Sequence, residues 1–172
     1  MLLAAMNAIE SLLAQYDLEA PNTRRLLECV PADKFGWKPH DKSSTLGDLA
    51  GHIAELPSFL ATMATTDAVE LASGQFTPFK PTTHKELMEG FEKNLADSRK
   101  VIASLNDTEF AKPWKLTFNG APIMEGPRNT LIPNTLSHLV HHRGQLTVYL
   151  RLLGVKFPGV YGPSADEMAQ FG

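Results

Sequence analysis

Four stretches of this chain space their apolar residues three and four apart, each bounded by sequence rich in proline, glycine or threonine, and that pattern limits the folds open to it. The first carries Leu2, Met6, Ile9, Leu13 and Tyr16, then Leu26, Leu27 and Val30, with Pro21 expected to bend it or restart the turn. A second starts near Thr45 and runs through Leu49, Ile53, Leu56, Leu60 and Met63, with a possible kink at Pro57. Leu87, Phe91, Leu95, Ile102 and Leu105 form the stripe of the third. The fourth extends from about Pro127 to Leu153, has Leu131, Leu139, Leu146, Leu150 and Leu153 on its inner side, and stops at Gly154. Thr45-x-x-Asp48 and Thr83-x-x-Glu86 read as capping boxes opening the second and third. The expected fold is all-α: a four-helix bundle formed by one domain over residues 1–172.

One segment breaks the helical period. Trp114, Leu116 and Phe118 alternate with Lys115 and Thr117, and Asn119-Gly120 follows before Ala121 to Met124. Asn-Gly between two extended runs signals a type I′ hairpin, because both central residues need positive φ. Pro122 removes a ladder donor and so places this small insertion at a sheet edge, before the last helix. Residues 31–44, anchored by Trp37, and residues 65–81 read as connectors, and residues 155–172 as irregular chain. The hairpin and the Tyr161-Gly-Pro-Ser-Ala-Asp tail are the pieces most able to shape a pocket mouth.

Charge and composition narrow the function. A formal charge of -3 on 172 residues offers no positive field for a phosphate backbone, so nucleic acid is not an expected partner. No apolar run approaches the roughly 18 residues a membrane span needs, and the first residues lack the basic region of a secretory signal. Cys29 is the single cysteine, consistent with a reducing, cytoplasmic setting, and is expected to lie in the core beside Leu26 and Val30.

The histidines carry the chemical signal. His138, His141 and His142 crowd one helical turn; His138 and His142 fall about 40° apart on the helical wheel, a workable metal clamp, and His141 falls about 60° to the other side, so a His138/His141 clamp stays open. His142 is preferred because His138, His142, Gln145 and Tyr149 continue one stripe. Leu139 stands where a zinc protease needs glutamate, which excludes that route of peptide hydrolysis. Two ligands are too few for a catalytic site of the zinc type, and His52, at helical spacing with Leu49 and Leu56, is the candidate third. His40 and His84 fall where solvent exposure is expected.

His138-Leu-Val-His-His-Arg-Gly-Gln-Leu-Thr-Val-Tyr-Leu-Arg-Leu-Leu-Gly154, together with Trp37-Lys-Pro-His40 and Thr45-Leu-Gly-Asp-Leu-Ala-Gly-His52, resembles the DinB family of metalloenzyme-like proteins over nearly the whole chain. The resemblance implies an up-down-down-up bundle, a homodimer, and a divalent metal on His52, His138 and His142. It implies no DNA function. Some members of the family use a low-molecular-weight thiol, transferring it to an electrophile or employing it as an isomerase cofactor.

Three neutral imidazoles would leave the charge of a Zn, Ni or Fe ion uncompensated and one position open, so that a small thiol or a water is acidified there. The leading expectation is therefore transfer of such a nucleophile to a small electrophilic substrate. Asp48 and Glu55 flank His52 on one strip and are the candidate orienting or proton-accepting groups; helix stabilisation by Asp48 and solvation of Glu55 are the plainer alternatives. Gln145 and Tyr149 are the candidate ligand-binding residues, Gly144 a site of close helix approach, and Arg143 a partner for a carboxylate or terminal carbonyl. The competing reading is a non-catalytic metal- or ligand-binding bundle, a dimeric stress-related protein.

Overall fold

The computed structural model describes residues 6–74 and 76–168. Four long helices dominate it: α1 (Ala8–Glu28), α2 (Leu46–Thr65), α3 (His84–Ala103) and, after the one-turn α4 (Asp107–Phe110), α5 (Arg128–Leu152). A one-turn α6 (Ala165–Met168) stands in the tail. Both α1 and α2 pack principally on α3 and α5, so the four close a ring around the core. Among the described residues, no helix is long and apolar enough to cross a membrane.

Local chemistry sets the helix ends. Asn7 and Glu10 form a complete reciprocal capping box, which starts α1 at Ala8; Leu2 lies outside the described residues. Thr45 caps α2 by accepting from Asp48 N, but Asp48 takes the Thr45 hydroxyl instead of its backbone N–H, so this box is half made. At α3, Thr83 accepts from Glu86 N while Glu86 reaches back one residue further, to Thr82 N and Oγ1. Pro21, Pro57 and Pro133 all lie inside continuous helix. Gly154, with φ of 71°, ends α5 in a Schellman arrangement: Val155 N donates to Leu150 O and Gly154 N to Arg151 O.

The helical reading requires one correction. Beside the hairpin β2 (Pro113–Phe118) and β3 (Ala121–Pro127), the 65–81 connector contains a strand, β1 (Ala68–Glu70), parallel to β2, giving a three-stranded sheet in the order β1-β2-β3. Three residues are too few to show a period-two pattern. Asn119 and Gly120 have φ of 50° and 77°, as a type I′ turn requires. Pro122 sits on edge strand β3, where the register slips between Leu116 and Thr117. Glu70 fastens β1 to the turn, accepting from Ala72 N, Thr117 Oγ1, Asn119 N and Gly120 N.

The core has two parts. Tyr16, Leu60, Met63, Trp114 and Ile132 gather at the sheet end, and Leu27, Ile53, Phe91 and Leu146 at the other. Of the 20 residues of α2, 13 are buried, which makes it the central helix. Arg143 is buried within the ring: Nη1 lies 2.6 Å from Glu19 Oε2, and Nη2 donates to the Tyr161 hydroxyl, which donates on to Glu19 Oε1. The tail is thereby tied to α1 and α5.

Two predictions follow from these buried and bonded charges. Arg143→Met strands Glu19 without its cation and should cost roughly 3–5 kcal/mol in urea unfolding, with much of the loss recovered in Arg143→Met/Glu19→Met. The backbone amide of Ala72, then Thr117 and the turn amides, hold the Glu70 carboxyl down at about 2 against an ordinary 4.5. Its stabilisation of the hairpin is complete above 4.5 and lost as the pH falls toward about 2. Amide proton shifts of Asn119 and Gly120 should titrate in that window and stay flat in Glu70→Gln.

Candidate metal centre

His52 stands at the end of the second turn of α2, and His138 and His142 stand one turn apart on α5, which packs against it. Their rings meet: His52 Nε2 lies 3.4 Å and His142 Nε2 3.0 Å from His138 Nε2, and one nitrogen from each ring falls within 4.8 Å of the others. Nitrogens about 2.0–2.1 Å from a tetrahedral ion stand about 3.3 Å from one another, a spacing that both pairs made with His138 approach, and the group as a whole is of a size that could hold one divalent cation. No other group of three His, Cys, Asp or Glu with ligating atoms so close occurs among the described residues.

The opposite ring nitrogens are pinned. Glu55 Oε1 lies 2.9 Å from His52 Nδ1, and Gln145 Oε1 lies 2.7 Å from His142 Nδ1. Both oxygens can only accept, so each Nδ1 carries the proton and each Nε2 presents its lone pair inward. Burial lowers the pKa of His138 and of His142; neighbouring rings add to the effect, and the Gln145 bond opposes it at His142. At neutral pH both rings are therefore uncharged, as cation binding requires.

Glu55 is buried, and its second oxygen accepts from Phe79 N at 2.7 Å. The connector reaches this close because residue 51 is glycine: a Cβ there would lie 2.5 Å from Phe79 O. Gly90 makes room for the Phe79 ring in the same way. Neither glycine stood out in the sequence, since nothing local distinguishes a packing glycine from a helix-weakening one.

The rings occupy a half-exposed rim between α2 and α5, not the interior of the helices: the His52 side chain is 38% accessible and His138 is exposed. On the sheet side lies a cavity of about 330 Å3 with His52 and His138 in its wall. On the opposite side is a more open groove of about 470 Å3, lined by Ser43, Asp48, His52, His142, Gln145 and Tyr149. The hairpin contributes Leu116 and Met124 to the first cavity, whereas the described residues of the tail line neither.

The other expectations divide. Glu55 is fixed against His52 rather than solvated. Asp48 makes its polar contacts with Thr45 and, at 3.7 Å, Lys80, while lining the groove. Tyr149 donates to Ser44 O and meets Trp37 edge-on. His141 is exposed and bonded to Gln145 Nε2, which leaves His142 as the second ring of the clamp. His40 is exposed, but His84 is half-buried against Leu27 O. Gly144 faces open space, so no helix approaches it. Cys29 is half-buried; burial raises its thiol pKa, and it lines neither cavity.

The sequence profile of the DinB family matches residues 6–171. The chain belongs to the DinB family. It is 26% identical over 166 residues to the uncharacterized protein YrdA of Bacillus subtilis strain 168, spanning 95% of this chain and 94% of that one. Crystal structures of DinB-like proteins from Bacillus cereus ATCC 10987 and Bacillus subtilis share the fold. The first superposes with a TM-score of 0.68 at 23% identity over 88% of this chain and 97% of its own. The second gives 0.69 at 16% identity over 87% and 97%.

For this DinB protein the hold on the rings predicts a graded loss. Glu55→Ala frees the His52 ring and should weaken Zn2+ binding about 10–100-fold in a competition titration. Gly51→Ala, which displaces Phe79 from Glu55, should shift affinity in the same direction.

Proposed function

We propose that this protein is a metal-dependent transferase or hydrolase in which His52, His138 and His142 hold a divalent Zn, Ni or Fe ion and a small thiol or water is the nucleophile. The observation that carries the reading is the inward convergence of three Nε2 atoms, two of them on rings whose Nδ1 is pinned. When bound, the cation supplies Lewis acidity, and for a thiol this matters because an ordinary thiol of pKa near 8.5 is only a few per cent ionised at neutral pH.

The protein's own groups divide the remaining work. Glu55 is a positioning residue, because both of its oxygens are committed, to His52 and to Phe79. Gln145 positions His142 and, with Tyr149, lines the groove through which a polar nucleophile reaches the rings. Asp48 is the groove's carboxylate and takes up the proton released there. Cys29, half-buried with a raised pKa, is not the nucleophile. The long helices form the up-down-down-up bundle of this reading, a homodimer of cytoplasmic location that acts on a small molecule. The half-exposed rim, with room for an exogenous ligand, favours catalysis over a closed structural site.

Elemental analysis tests the site. The purified protein should carry about one divalent ion per chain and His138→Ala/His142→Ala should carry almost none; equal content in the two would end the metal reading. Metal-loaded protein should then accelerate reaction between a panel of small thiols and an electrophile above the metal-stripped control, and no excess rate would sink the catalytic one.

A further inference from the structure

The cavity on the sheet side of the rings differs in chemistry from the groove opposite. Leu56, Phe59, Leu71, Phe76, Leu116 and Met124 form its apolar walls. An apolar cavity of about 150 Å3 suffices for benzene, so about 330 Å3 admits a bicyclic aromatic or a branched chain of similar bulk. Met124, an adaptable thioether, gives that wall some tolerance of shape.

Most polar groups in the chamber are already engaged. Thr135 Oγ1 bonds with Leu131 O and Met63 Sδ, and Glu55 holds His52 and Phe79. Asn134 is different. It stands one helical turn before His138 on α5, exposed at the mouth of the chamber, and its amide makes no hydrogen bond to protein among the described residues. A donor and an acceptor thus face solvent at the mouth of an apolar chamber that ends on two of the three imidazoles, where a ligand can replace their water.

We propose that this chamber binds the apolar body of a neutral organic electrophile, with the Asn134 amide donating to one oxygen of that molecule and its reactive end toward His52 and His138. The inference rests on the function proposed above for what the bound molecule undergoes, and adds its chemical class. Neutrality follows from the walls, whose apolar side chains leave a charge of either sign unsolvated, and the carboxylate of Glu55 adds repulsion against an anion. The arrangement also separates the reactants: the apolar one arrives from the sheet side and the polar one from the groove.

The probe is 6-propionyl-2-dimethylaminonaphthalene, a neutral bicyclic ketone whose emission shifts to the blue in apolar sites. Metal-free protein should bind it at one saturable site. Asn134→Trp and Met124→Trp, which fill the chamber, should each weaken it about tenfold or more while calorimetric Zn2+ binding persists. Asn134→Ala should weaken it several-fold. His142→Ala, whose side chain is outside the chamber, should retain the probe and lose Zn2+. The proposal is overturned by an unsaturable signal, by unchanged affinity in both tryptophan variants, or by equally tight binding of naphthalene-2-sulfonate. Saturable probe binding in a protein that takes up no Zn2+ would leave the chamber's ligand class standing and remove the function proposed above.

Discussion

A buried carboxylate is costly unless every lone pair it turns inward is met, and Glu55 is met from two directions, by His52 Nδ1 and by Phe79 N. Those two hydrogen bonds tie α2 to the connector that follows it. They set the tautomer of a ring on α2, hold the connector between α2 and α3 against the helices, and depend on two glycines that clear the connector's path. Loss of the Phe79 contact would leave a buried charge half-satisfied, and the cheapest relaxation would be to swing Glu55, and with it His52, out of register with α5. The site's geometry is thus stabilised from behind, by backbone, rather than by the rings themselves.

The rings have reason to resist convergence. Imidazole nitrogens 3.0 and 3.4 Å apart, two of them with lone pairs directed inward, repel unless a proton or a cation lies among them. Burial favours the neutral forms of His138 and His142, so the cluster suits a cation that needs unprotonated nitrogen better than it suits protons. Their place at the rim lowers the cost of this arrangement, because water reaches His138 directly. A fully interior cluster would give up that solvation and the open approach to the rings.

Much of the frame and of the histidine cluster was legible in the sequence, for identifiable reasons. Helical periodicity located the long helices because each buries a continuous stripe, and Asn119-Gly120 located the hairpin because few residue pairs accept two positive φ values in succession. The i,i+4 spacing put His138 and His142 on one face, and the helical spacing of His52 put it toward them. What stayed hidden was non-local. β1 exists because β2 offers it a partner; Gly51 and Gly90 matter because Phe79 approaches them; and the interior position of Arg143 follows from Glu19, 124 residues earlier in the chain. The rim position of the rings could not be read from spacing either, since an apolar stripe gives a direction but no depth.

The two irregular pieces turn out to have different jobs, and the bonds they make explain why. Tyr161 donates to Glu19 and accepts from Arg143, so the tail is held to the buried ion pair and cannot swing over the rings without leaving that pair short of a partner. The sheet carries no such obligation toward the site. Its turn is held by Glu70 of β1, and Leu116 and Met124 are left to wall the apolar chamber without engaging the imidazoles. The shape of the chamber can therefore change through those two positions while the three histidines on α2 and α5 stay fixed. The converse does not hold, because His52 and His138 are themselves part of the chamber wall.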